Sequence, residues 1–239
     1  MATSNQFGQP IGESLADWSP RSCPADVILE GIFCRLEPLH TERHATDLYA
    51  AYSSAPDQRD WTYLSTGPFH NESEYRQFVE NASHSSDPKH SAVIDCTTGK
   101  AVGTLALMRI DSGNGVIEVG HVVFSSLLKQ RPASTETQFL LMRYVFEELQ
   151  YRRYEWKCDS LNAPSRQAAE RLGFRFEGIF RQAVIYKGRT RDTAWYSIID
   201  QEWPVLKKAF LAWLSAENFD GTGKQRKSLA EIREFQSKD

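Results

Sequence analysis

The chain has 239 residues, 41% hydrophobic and 25% charged, with a formal net charge of -3. Such a chain buries a core without metal or disulfide staples, and its charge excludes a general pull toward nucleic acid or an anionic membrane. No apolar run approaches the roughly 20 residues of a transmembrane helix, and the four cysteines (Cys23, Cys34, Cys96, Cys158) are scattered without a CxxC pair, which excludes a zinc framework.

The start, "MATSNQFGQP", is polar and has no apolar signal region. We therefore expect a reducing, cytoplasmic setting, no bound metal, and neither nucleic acid nor membrane as partner. Residues 1–27 are rich in Ser, Pro, Gly and Asn and read as a flexible or draped arm. Residues 217–239 read as a polar tail with a short helix at its end, which leaves one domain, 28–216.

Within that domain "FCRLEPL" (33–39) reads as a strand. In "TERHATDLYAAY" (41–52), Ala45, Leu48, Tyr49 and Tyr52 recur at helical spacing behind Thr41 as cap. "NESEYRQFVENAS" (71–83) is a second helix. Residues 90–110 form a hairpin turning at Thr97-Thr98-Gly99-Lys100, and 115–124 is a β-branched strand. "TETQFLLMRYVFEEL" (135–149) is a strong helix started by Thr135. A strand (154–158), a helix (164–172), two strands (about 174–186 and 192–199) and an amphipathic helix with Trp203, Leu206, Phe210, Trp213 and Leu214 on one face complete the order. Helices and strands mix without a repeating βαβ wheel, so the expected class is α+β, a mixed α/β sheet.

Four stretches carry candidate chemistry. In "CDSLNAPSRQAAERLGFRFEG" (158–178), Pro164 suits a first helical turn and Gly173 a left-handed stop. Ser165 heads the inward stripe of Ala168, Ala169 and Leu172. Asn162 and Ser165 together are more polar groups than one cap requires, although turn bonding and capping are the common uses of both. In "SLLKQRPASTET" (126–137) a strand runs into a helix start flanked by Lys129 and Arg131, which suits an anion such as pyrophosphate or serves simply as a polar loop. In "IEVGHVVF", strict alternation puts Glu118, Gly120 and Val122 on one face and Val119, His121 and Val123 on the other. A half-buried Glu118 has a raised pKa and can act as a general base, with His121 a second proton carrier. The basic, aromatic run 180–203 reads as a hairpin turning at Lys187-Gly188 with a charged rim.

These blocks, with Asn-x-x-Ser followed by Leu-Gly-Phe and Glu-Gly, "RDTAWYSIID" and "EW", resemble the GCN5-related N-acetyltransferase (GNAT) superfamily, in its ribosomal-protein-alanine acetyltransferase-like branch, over about 31–205. The phosphate-loop pattern Arg/Gln-x-x-Gly-x-Gly/Ala stands here as Lys129 to Ser134, with Pro132 at the central glycine. The resemblance implies a V-shaped splay between two parallel strands, 116–124 and 154–158, with acetyl-CoA in the gap. It implies pantetheine along Val122, Val123 and Phe124, and pyrophosphate on the loop of Lys129, Gln130, Arg131, Ala133, Ser134, Thr135 and Glu136. Asn162 is then expected to hold the pantetheine arm, Ser165 to stand at the sulfur as acid, Glu118 to act as base, and a strand amide near Val122 or Val123 to receive the oxyanion. Trp61 and Tyr63, with Phe69, are expected to wall an acceptor pocket that Glu118 and His121 share. The implied activity is acetyl transfer to a primary amine by direct attack, the acceptor a small-molecule amine or amino acid. A protein N-terminus as acceptor, a non-catalytic acyl-CoA-binding module and a homodimer stay open.

Overall fold

The structure, a computed structural model, describes residues 3–236. A small ribbon of β1 (Thr3–Ser4) and β2 (Pro10–Ile11) precedes an eight-stranded sheet. Its strands are β3 (Leu29–Glu30), β4 (Cys34–Pro38), β5 (Lys89–Asp95), β6 (Ala101–Asp111), β7 (Val116–Phe124), β8 (Arg153–Asp159), β9 (Arg175–Tyr186) and β10 (Arg189–Ile199), in the order β3-β4-β5-β6-β7-β8-β10-β9. All neighbours are antiparallel except β7 and β8. The helices are α1 (Thr41–Ser53), α2 (Glu72–Ser83), α3 (Pro132–Arg143), α4 (Ala163–Leu172), α5 (Trp203–Leu214) and α6 (Leu229–Gln236). This is the mixed α/β, mostly antiparallel architecture expected from the sequence. Among the described residues no helix is long and apolar enough to cross a membrane, and no group of His, Cys, Asp and Glu side chains is arranged to hold a metal.

Alternation along the strands divides the core in two. Leu105, Leu107, Ile117, Val119, Tyr154, Trp156 and Cys158 turn to the large cluster under α3, α4 and α5. Ala92, Ile94 and Ala101 turn to a smaller cluster with Leu48, Tyr75 and Val79 of α1 and α2. The expected apolar stripe of α5 is buried throughout.

Two helix starts differ from their expected positions. α1 is capped not by Thr41 but at His40, whose amide donates to His44 Nδ1 at 3.1 Å. α3 begins at Pro132, three residues before Thr135, because proline costs nothing at the first helical position. It runs on through a π-turn, Tyr144–Glu148.

Residues 18–25 and 218–232 lie against the domain. Trp18 Nε1 donates to the Gly113 carbonyl at 2.8 Å, and the Ala25 amide donates to Tyr144 Oη at 3.0 Å. Asn218 is buried and bonds to Trp213 and Lys227, and α6 buries Leu229 and Ile232 against α5.

Two irregularities in β7 shape everything that follows. Its pairing with β8 runs from Val116↔Arg153 to Val119↔Trp156 and stops, although the strands continue to Phe124 and Asp159. Its pairing with β6 passes from Ala106↔Gly120 to Thr104↔Val123, so β7 holds one extra residue there. His121, at φ 49, occupies this bulge. The strict alternation expected across 118–123 is therefore reset at His121, which comes onto the same side of the sheet as Thr104 and Val123.

Candidate active site

A wedge opens where β7 and β8 part. From Gly120 to Phe124, β7 pairs only with β6, and from Lys157 to Asp159, β8 pairs only with β10. Val122, Val123 and Phe124 thus present a free strand edge to the opening. The Val123 carbonyl also accepts the Tyr52 hydroxyl at 3.0 Å.

At the wide end of the wedge stands the start of α3. The Leu128 and Lys129 amides fold back on the Ser125 carbonyl, both at 3.0 Å, and Gln130 takes a left-handed φ of 59. Arg131 is the extended cap residue, with no side chain capping the helix. Among the described residues, the Gln130, Arg131 and Ala133 amides have no hydrogen-bond partner. Three free donors and the helix dipole make an anion cradle, and Pro132 removes only the amide that its ring replaces.

The remaining loop candidates are placed differently. Lys129 Nζ pairs with Asp60 at 2.5 Å. Ser134 Oγ donates to the Arg131 carbonyl at 2.7 Å. Thr135 and Glu136 lie beyond the first turn, because the helix starts early, and both side chains are buried. Thr135 Oγ1 accepts from Arg171 at 3.0 Å. The Glu136 carboxylate turns away from the loop and accepts the amides of Ile32, Phe33 and Cys34 at 2.7, 2.6 and 2.8 Å. It thereby ties the β3–β4 turn to α3, and Gly31 has no room for a Cβ against it.

On the other bank, Asn162 is the α4 cap: its Oδ1 accepts the Ser165 amide at 3.2 Å, and among the described residues its Nδ2 has no partner. Ser165 Oγ accepts Trp156 Nε1 at 3.0 Å and also lies at the Cys158 thiol. The local uses of these two residues are therefore occupied, with one amide donor left over. Burial pushes the Cys158 thiol up, against the opposing Ser165 contact.

Ser165 sits on the α3–α5 side of the sheet, whereas Glu118 sits on the opposite side. Glu118 is 4% exposed and lies level with Glu155 on β8. Lys157 Nζ stands 2.9 Å from Glu118 Oε2, outside hydrogen-bond geometry, and 2.7 Å from Glu155. Arg109 is 3.5 Å away. Burial raises the Glu118 carboxyl above the usual range, and Lys157 opposes the rise. Met108 packs its sulfur over Gly120, where a Cβ would meet it at 2.3 Å.

A narrow cavity, open at its mouth, is lined by Tyr52, Trp61, Leu64, Thr66, Tyr75, His90, Thr104, His121 and Val123. The His90 and His121 rings meet at 5.1 Å. Burial lowers both imidazoles below the usual range, His90 to about 4. Of the expected acceptor residues, Trp61 and His121 line the cavity. Phe69 stands behind Trp61 at 5.4 Å between ring centroids. Tyr63 lies outside the cavity lining and donates its hydroxyl to the Leu161 carbonyl at 3.2 Å, so it bridges to the β8–α4 turn.

The segment around Trp61 roofs the site. Lys187 donates to the Trp61 carbonyl at 2.8 Å and Arg189 to the Thr62 carbonyl at 3.0 Å, which ties the β9–β10 turn to this roof. Asp192 accepts the Gln182 amide at 2.7 Å. Lys157, Glu155, Tyr52 and His90 were not anticipated. The alternation of Arg153, Glu155 and Lys157 with Tyr154, Trp156 and Cys158 was the available signal for the first two.

The acetyltransferase (GNAT) domain model matches residues 34–175. A GCN5-related N-acetyltransferase structure from Brucella melitensis is 52% identical and superposes with a TM-score of 0.90, covering 92% of this chain and 100% of that one. An uncharacterized N-acetyltransferase of Bacillus licheniformis, p20, is 28% identical over 179 residues, 70% of this chain and 99% of its own length. A Bacillus subtilis (strain 168) protein provisionally named a ribosomal N-acetyltransferase, YdaF, is 30% identical over 105 residues, 44% of this chain and 57% of its own. With the matched domain spanning more than half of the chain, the protein belongs to the GNAT family and is an N-acetyltransferase.

Proposed function

We propose that the protein moves an acetyl group from acetyl-CoA to a primary amine within a complex that holds both, and that the acceptor is a small-molecule amine or amino acid. The observation that carries this reading is the placement of Glu118 and Ser165 on opposite faces of the sheet, either side of one wedge. An amine arriving from the α1–α2 side meets a carboxylate able to hold its proton. A thiol leaving on the α3–α5 side meets a hydroxyl.

The residues fit the cofactor. The free β7 edge accepts an extended arm as an added strand, and the three unpaired amides at the α3 start suit pyrophosphate. Asn162 Nδ2 is the donor left for the arm. Acetyl-CoA supplies an acetyl thioester that an amine displaces. The raised Glu118 carboxyl takes the ammonium proton, directly or through water. A β7 amide near Val122 or Val123 holds the carbonyl oxygen. Ser165 Oγ is the nearby proton donor.

A second reading takes a protein N-terminus as acceptor, as the name of the Bacillus subtilis relative suggests. The narrow aromatic cavity, with the Trp61 segment tied over it by Lys187 and Arg189, favours the small acceptor. Thiol release from acetyl-CoA, measured against a panel of small amines, amino acids and N-terminal peptides, separates the two. Turnover confined to the peptides would overturn the small-acceptor reading. In the same assay Asn162→Ala raises the acetyl-CoA KM several-fold and lowers stability by about 1 kcal/mol through the lost helix cap. An unchanged KM would remove Asn162 from the site.

A further inference from the structure

We propose that the outer face of β10 holds the carboxylate of the acceptor, so that the acceptor is an amine that also carries a carboxyl group. This rests on the acetyl-transfer reading above.

Arg191, Thr193 and Trp195 alternate along β10. Thr193 lies level with Asp159 and Trp195 with Lys157, on the same side of the sheet as Glu118. Each of the three has a buried polar atom with no partner: Arg191 Nε, Thr193 Oγ1 and Trp195 Nε1. Native buried polar atoms are nearly always paired, so a run of three on one strand face calls for an absent partner. Both nitrogens can only donate, and the hydroxyl can donate as well. The missing partner is therefore an acceptor of hydrogen bonds.

The row leads to the reaction centre. Lys157 Nζ lies 3.8 Å over the Trp195 ring and 2.9 Å from Glu118 Oε2, itself a buried atom without a hydrogen bond. At its other end are Lys187 and Arg189, tied to the roof at Trp61 and Thr62. Carboxylates near that end are already engaged. Asp159 accepts the Tyr186 hydroxyl at 2.8 Å and the Leu161 amide at 2.9 Å, and Asp192 accepts the Gln182 amide. The unpaired Arg191 Nε and the neighbouring positive charges of Lys187 and Arg189 call for negative charge, and a carboxylate meets both needs. The amine then points along the row toward Glu118. Trp195 follows Arg191 by about 13 Å of strand, so an extended carbon chain separates the two ends.

The test is calorimetry on the protein saturated with CoA, with 8-aminooctanoate, octylamine and an N-terminally free peptide blocked at its carboxyl end as probes. The amino acid, whose two ends are far apart, is expected to bind at least about tenfold more tightly than octylamine. Arg191→Met abolishes that preference. Thr193→Val reduces it without lowering the melting temperature, because the hydroxyl it removes is unpaired in the free protein. Equal binding of 8-aminooctanoate and octylamine, binding of neither, or tighter binding of the blocked peptide overturns the proposal. Thiol release keeps the two readings apart. Preferential binding without turnover in acetyl-CoA contradicts acetyl transfer to this acceptor and leaves the carboxylate site standing.

Discussion

Glu118→Gln is expected to lower kcat by about a hundredfold or more at neutral pH, the usual worth of a positioned base, with little change in the acetyl-CoA KM. The amide keeps the shape of the carboxyl group, and Lys157 keeps its 2.7 Å partner Glu155, so the substitution isolates the proton function. The pH dependence has a definite sign. Burial raises the Glu118 carboxyl, the base acts only when ionised, and activity is therefore full above the raised pKa and falls as pH drops through it. The acid limb should start at higher pH than an ordinary carboxylate would give, and Glu118→Gln should erase it. A kcat within a few-fold of wild type would move the base elsewhere, first to His121, which lines the cavity at Trp61.

Glu136→Ala should cost stability on the order of 3 kcal/mol or more. The substitution strips three backbone amides, those of Ile32, Phe33 and Cys34, of one charged acceptor and leaves the Cys34 amide buried without a partner. Glu136→Gln keeps one acceptor oxygen and should cost less. Urea unfolding measures both. A loss below about 1 kcal/mol for the alanine variant would mean that the β3–β4 turn holds its shape without the carboxylate. This contact also turns the Glu136 side chain away from the loop: it faces the β3–β4 turn, and its charge meets the chain's own amides.

Much of the fold was legible because the apolar spacing of α3 and α5 and the turn residues at Thr97–Lys100 and Lys187-Gly188 act locally. The parallel pair and its splay came from resemblance, since no local signal says where two strands separate. The start of α3 was misread by three residues: Thr135 looks like a cap, but Pro132 begins the helix from an arginine that caps nothing. The bulge at His121 lies inside a β-branched run where alternation looks undisturbed. The acceptor face was the least legible part. Its contacts join residues far apart in the chain, such as Lys187 with Trp61 and Tyr63 with Leu161, and the unpaired atoms on β10 exist only as a spatial pattern.

Amide hydrogen exchange with and without saturating acetyl-CoA tests the wedge most directly. Residues 120–124, on the unpaired edge of β7, and 130–133, at the bare start of α3, should become markedly protected, while the edge strand β9 stays unchanged. Saturating ligand that leaves both segments exchanging at their original rates would contradict the account.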